Sequence, residues 1–237
     1  MPPKAKFTRE EIARAAFSVV KEQGEDALTA RELGKRMGTS ARPIFTAFKS
    51  MEELKQSVRE MAVAEFMDFI GDVERYVPAF KRIGVRTVQY SMEQPTLFRM
   101  LFAGKDEKNF RELLKTLGGM DERCIRILQR DYGFSETEAA MVTEQLWTQV
   151  LGMGMLCAMG VYHPGEEEIG RRLGQIFMGL LLLIRSGKAE QIYADVAENT
   201  DGSYHGYAVK EVERFFAGNE NRENTEEENA FEKKNGI

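Results

Sequence analysis

"GTSARPIFTAFKSMEEL", residues 38–54, is the stretch whose reading decides the fold. Pro43 follows Ser40 by three positions, and Phe45 and Phe48 alternate with Arg42, Thr46 and Lys49. With Ser40 as N-cap, Ala41, Ile44 and Phe48 fall at i, i+3, i+7 and make an inward face. Arg42, Phe45, Thr46 and Lys49 fall at i, i+3, i+4, i+7 on another face, which carries two cations, a hydroxyl and an aromatic ring. Pro43 falls in the first turn, where a missing N–H leaves no intrahelical bond unmade. Ser50 with Glu53 is a capping box that opens a new helix at once.

Upstream, Thr8 with Glu11 is a capping box that starts a helix near residue 9, with Ile12, Ala15, Ala16, Val19 and Val20 at helical spacing and Gly24 as its stop. Thr29 with Glu32 opens a short helix that turns Leu33 and Met37 inward and ends at Gly38. Two very short helices joined through a glycine-containing turn make a helix-turn-helix unit. Downstream, Leu54, Val58, Met61, Ala62, Phe66, Phe69 and Ile70 form one long apolar stripe. Helices are expected near 80–92, 96–103, 106–130, 135–159 and 166–186, with breaks at Pro78 and Pro95. No run alternates with period two, so the expected class is all-α. A short amphipathic helix is expected around Ala208, Val212, Phe215 and Phe216, before a polar tail from Gly218 of disordered composition.

The whole chain has 237 residues, 43% hydrophobic and 30% charged, with a formal net charge of −5. That balance excludes a protein that coats nucleic acid over its whole surface. The charge is uneven: residues 1–60 carry 12 Lys/Arg against 9 Asp/Glu, and residues 188–237 carry 6 against 12. The basic head suits local contact with phosphates. "IFMGLLLLI", residues 176–184, falls short of the roughly 20 residues that span a bilayer, and the charged start has no signal-peptide core, so a cytoplasmic protein is expected. Cys124 and Cys157 lack metal-ligand spacing and the two histidines, His163 and His205, form no HExxH, so neither a metal nor a cofactor is expected. "GMGMLCAMG" lacks the third glycine of a nucleotide loop and lies in a helical pattern.

"LTARELGKRMGTSARPIFTAFKSMEEL", residues 28–54, resembles the DNA-binding segment of the TetR family of transcriptional regulators. The resemblance covers residues 8–56 and implies a helix-turn-helix domain over 1–52, a larger helical ligand-binding and dimerisation domain over 53–217, and the tail 218–237. It implies a homodimeric, non-enzymatic regulator: a repressor that a small apolar or amphipathic effector releases from a pseudo-palindromic operator in double-stranded DNA. Two other readings stand beside it, a DNA-bound regulator switched by a protein partner and an all-helical enzyme. By resemblance, Thr29 and Arg31 contact mainly the DNA backbone, and Ala41, Arg42, Pro43 and Thr46 face the bases. Phe45 stands where a tyrosine hydroxyl usually meets a phosphate, and Lys49 at a backbone-contacting position. Phe45 lacks that hydroxyl and Met51 replaces a usual lysine, so both departures weaken the sequence-independent attraction.

In the body, the helix at 169–184 is apolar nearly all round, so it is expected to be covered on two sides. The resemblance makes the second cover another subunit, with Leu151, Ile169, Leu173, Ile176, Leu180 and Leu183 at the dimer interface. Met92, Phe98, Met100, Phe102, Trp147 and Met155 are the candidate ligand-binding residues, because Met and aromatic side chains adapt to varied ligands.

Overall fold

In the computed structural model the described residues are 7–103 and 110–187. They form ten α-helices and no strand. The expected elements over residues 208–216 and 218–237 lie outside the described residues. The chain divides into two units, Met1–Met178 and Gly179–Ile237. Of the second unit, the described residues are the end of the last helix and a turn closed at Gly187 (φ 67°).

Helix α1 (Arg9–Gln23) begins with the full capping box: Thr8 Oγ1 accepts from the Glu11 N–H at 3.1 Å, and the Thr8 N–H donates to the Glu11 carboxylate at 2.7 Å. It buries Ile12, Ala16, Val19 and Val20 and stops at Gly24, whose φ of 93° suits glycine. Helix α2 (Ala30–Arg36) and helix α4 (Met51–Ile70) carry only half of their expected boxes. Thr29 and Ser50 cap by accepting an N–H, but the Thr29 N–H goes to the Ala27 carbonyl and the Glu53 carboxylate takes the Lys49 N–H instead. Helix α3 (Arg42–Ala47) starts one residue later than the serine cap predicts: Ala41 is the N-cap and offers no side-chain bond.

The body follows as α5 (Ala79–Glu93), α6 (Pro95–Phe102), α7 (Phe110–Thr116), α8 (Met120–Tyr132), α9 (Glu136–Ala158) and α10 (Glu166–Arg185). The single helix expected over 106–130 is two, because Gly118 and Gly119 both take positive φ, 63° and 75°, which ends one helix and opens the next. Helix α5 lies mainly against α9, with α6 and α8 beside them. Helix α1 packs on both α4 and α6, so the first three helices and the body share one unit.

The body's centre is aromatic. Phe98 and Phe102 have ring centroids 4.6 Å apart, Phe102 and Trp147 6.2 Å, and Phe66 meets Phe102 edge-on at 5.5 Å. The Trp147 indole N–H donates to Cys124 Sγ at 3.4 Å, and full burial pushes the Cys124 thiol up to about 12. At the periphery, Arg123 grips the Glu74 carboxylate at 2.8 and 2.6 Å and the Gly71 carbonyl at 2.8 Å. That guanidinium holds the Glu74 carboxyl down at about 2.

Candidate nucleic-acid interface

α2 and α3 meet through a turn in which Gly38 has φ 64°. The approach is close because Gly34 has no side chain. An added Cβ there would lie 2.9 Å from the Thr39 carbonyl oxygen and 3.3 Å from the Ser40 carbonyl carbon, while the Gly34 carbonyl accepts the Thr39 N–H at 2.9 Å.

α3 has six residues, too few to persist by itself. Ile44 (0% exposed) and Phe48 (1%) anchor its inner face in the core. Its C-terminal end is held by Arg9, which donates to the Ala47 carbonyl at 2.8 Å, lies 4.0 Å from the Phe48 ring centroid and pairs with Glu53 at 2.9 Å. The second Glu53 oxygen accepts the Lys49 N–H at 2.6 Å. That N–H, and after it Arg9, holds the Glu53 carboxyl below the usual carboxylate range.

The outer face is as its spacing predicts. Arg42, Phe45, Thr46 and Lys49 are exposed, Phe45 by 52%, and Ala41 and Pro43 are half-buried. The Thr46 hydroxyl donates to the Arg42 carbonyl at 3.0 Å, which leaves its lone pairs free to accept. On α2, Thr29 and Arg31 are exposed, and the Thr29 hydroxyl is engaged as the cap. A cleft of about 450 Å³ lies between the starts of α1 and α3, bordered by Thr8, Arg9, Arg42 and Thr46.

Charge pairing separates this face from its surroundings. Arg9, Arg14, Lys21, Arg36 and Lys55 are each bound to a carboxylate: Glu53, Glu10, Glu65, Glu22 and Glu25. Arg31, Lys35, Arg42 and Lys49 make no ion pair among the described residues. Four cations are thus left for an external anion.

Residues 12–58 match the model of the bacterial regulatory proteins of the tetR family. The helix-turn-helix domain of this chain is that of the TetR family. The match ends within α4, and the fold likeness continues beyond it. A Mesorhizobium loti MAFF303099 protein assigned to the TetR-family transcriptional regulators is 18% identical, with a TM-score of 0.53 over 76% of this chain and 98% of that one. A Rhodococcus sp. RHA1 protein of unknown function is 17% identical, with a TM-score of 0.56 over 76% of this chain and 100% of its own. A Streptomyces coelicolor A3(2) protein assigned to the TetR family is 16% identical, with a TM-score of 0.50 over 75% and 98%. No curated protein matches.

The residues singled out for the body divide by burial. Phe98, Met100, Phe102 and Trp147 are buried and Met92 and Met155 half-buried, and the three rings pack on one another as core. Of the residues assigned to a dimer face, Ile169 (0% exposed) and Leu173 (4%) are covered by the chain itself; a Cβ on Gly84 of α5 would come 2.8 Å from Leu173. Leu151, Ile176, Leu180 and Leu183 are half-exposed. Large apolar side chains that do face outward on the last two helices include Leu156 and Met159 at the end of α9 and Met178 and Leu182 on α10; Val77 and Val161 in the loops are exposed as well. Sequence reasoning singled out neither Arg9 nor Lys35, and took Glu53 only as the acid of a capping box. Gly34 did carry a signal, because an isolated glycine inside a helix often marks a close backbone approach. Among the described residues no group of three His, Cys, Asp or Glu can hold a metal ion, and no helix is long and apolar enough to cross a membrane.

Proposed function

We propose that the chain is a homodimeric repressor that binds a pseudo-palindromic DNA operator with the outward sides of α2 and α3 and leaves it when a small molecule binds the body. The TetR-family domain implies DNA-binding regulation. The observation that supports this reading is the set of cations that make no ion pair among the described residues, Arg31, Lys35, Arg42 and Lys49, while Arg9, Arg14, Lys21, Arg36 and Lys55 around them are each paired with a carboxylate. Arg42 at the start of α3 is the base reader and Lys49 a phosphate contact; Thr29 and Arg31 meet the backbone, and Ala41, Pro43, Phe45 and Thr46 complete the surface laid in the groove. Function divides near residue 52, with DNA recognition before it and dimerisation and ligand sensing in 53–217. Binding of the full-length protein to duplexes enriched from a randomised pool tests the reading, and failure to enrich any sequence refutes it.

Dimerisation is supported by the outward Leu156, Met159, Met178 and Leu182. Light scattering at micromolar concentration is expected to give twice the mass of one chain, and Leu182→Glu to shift it to one, because the interface would then bury an unpaired carboxylate. A wild-type mass of one chain ends this part of the proposal.

A cleft of about 750 Å³ between α4 and α7 is bordered by Gln56, Arg59, Glu60, Val63, Glu112 and Lys115. It adds a zwitterionic molecule to the effectors worth testing beside the small apolar or amphipathic one. A thermal-shift screen that includes both classes discriminates them, since a ligand that binds only the folded state raises Tm.

A further inference from the structure

We infer that Arg9 is a positioning residue for DNA recognition: with Glu53 it locks the C-terminal end of α3 in its reading geometry, and it does not itself contact DNA. The inference rests on the reading of α3 as the DNA-recognition helix. The Arg9 guanidinium is committed on three sides. One nitrogen donates to the Ala47 carbonyl at 2.8 Å, another lies 2.9 Å from the Glu53 carboxylate, and its plane covers Phe48 with 4.0 Å to the ring centroid. The remaining Glu53 oxygen takes the Lys49 N–H at 2.6 Å. A last-turn carbonyl of α3 and the N–H of Lys49, two residues beyond the helix, are therefore joined to α1 and α4 through one ion pair. Such ends lack intrahelical partners, and in a six-residue helix the loss of one tether frees a large part of the element. Only a planar fork with several fixed donors makes all three contacts at once; an ammonium cannot.

The clamp contradicts simple charge counting in two ways, and both are measurable. Arg9→Lys keeps the cation. If Arg9 met a phosphate, the lysine variant would bind nearly as the wild type, and Arg9→Ala would flatten the salt dependence by about one unit per half-site. The clamp instead makes Arg9→Lys and Arg9→Ala alike: about tenfold weaker on the selected duplex, the scale of one lost charged hydrogen bond, with the wild-type salt slope retained. Glu53→Ala removes a negative charge beside the phosphate track, so electrostatics alone raises affinity. The clamp lowers it, and Arg9→Ala costs less in the Glu53→Ala background than in the wild type because their ion pair is already gone.

The experiment is a salt-series titration of the full-length variants against a duplex selected by the wild-type protein and against a random duplex of equal length. Thermal unfolding confirms that each variant is folded. Parallel losses for Arg9→Lys and Glu53→Ala at unchanged slope support the inference. A near-wild-type Arg9→Lys, or tighter binding by Glu53→Ala, overturns it. Should Arg9→Ala fail to fold, Arg9→Lys and Glu53→Ala still decide the outcome. If the wild-type protein selects no duplex, it is the DNA reading that has failed.

Discussion

Phe98→Ala is expected to lower the unfolding free energy by about 3–5 kcal/mol. The ring is fully buried, packs against Phe102 at 4.6 Å between centroids with the planes tilted by 38°, and closes on α9 where Gly154 leaves room for it: a Cβ on Gly154 would lie 2.4 Å from Phe98 Cζ. Removing the ring opens a cavity that Gly154, with no side chain, cannot fill. Urea denaturation followed through Trp147, the only tryptophan and 2% exposed, reports the loss directly. The midpoint is expected to fall with the slope unchanged. A loss under about 1 kcal/mol means that the ring is not a core element.

Gly34→Ala is expected to act against the usual trend. In a helix interior this change generally stabilises by up to about 1 kcal/mol. Here the new Cβ meets backbone, the Thr39 carbonyl oxygen at 2.9 Å, and backbone does not rotate away as a side chain does. The turn must shift and α3 must shift with it. The expected cost is about 1–3 kcal/mol of stability, the scale of overpacking. Affinity for a selected duplex is expected to fall by about tenfold or more, since such contacts tolerate displacements of only about 0.5 Å. Stabilisation with wild-type affinity contradicts the view that this contact sets the geometry of the motif.

The sequence made α3 legible because its two faces separate cleanly at helical spacing. Ile44 and Phe48 went in, and Arg42, Phe45, Thr46 and Lys49 stayed out. The capping serines and threonines marked the starts of α1, α2 and α4, since each acts on an N–H three residues away. What lay far along the chain stayed hidden. Arg9 meets Ala47 across 38 positions, and nothing in local spacing announces it. The break between α7 and α8 falls at Gly118 and Gly119, a glycine pair whose positive φ values apolar periodicity does not register. On α10 the difficulty is physical: an apolar residue looks the same whether its own chain or a second subunit covers it. Periodicity alone therefore did not reveal that Ile169 and Leu173 belong to the chain's own core while Met178 and Leu182 face outward.

The measurement that bears most directly on the DNA-reading surface compares Arg42→Ala with Lys49→Ala across a salt series, on a selected duplex and on duplexes altered at single base pairs. Both residues are exposed and make no ion pair among the described residues, yet one opens α3 and the other follows it. Arg42→Ala is expected to cost about 1–3 kcal/mol on the selected duplex, with preference relaxed at one base pair per half-site and little change on random DNA. Lys49→Ala is expected to weaken all duplexes alike and to reduce the salt slope by about one unit for each half-site. Two variants that leave binding to every duplex unchanged, in affinity and in salt slope, would contradict the assignment of this face to DNA.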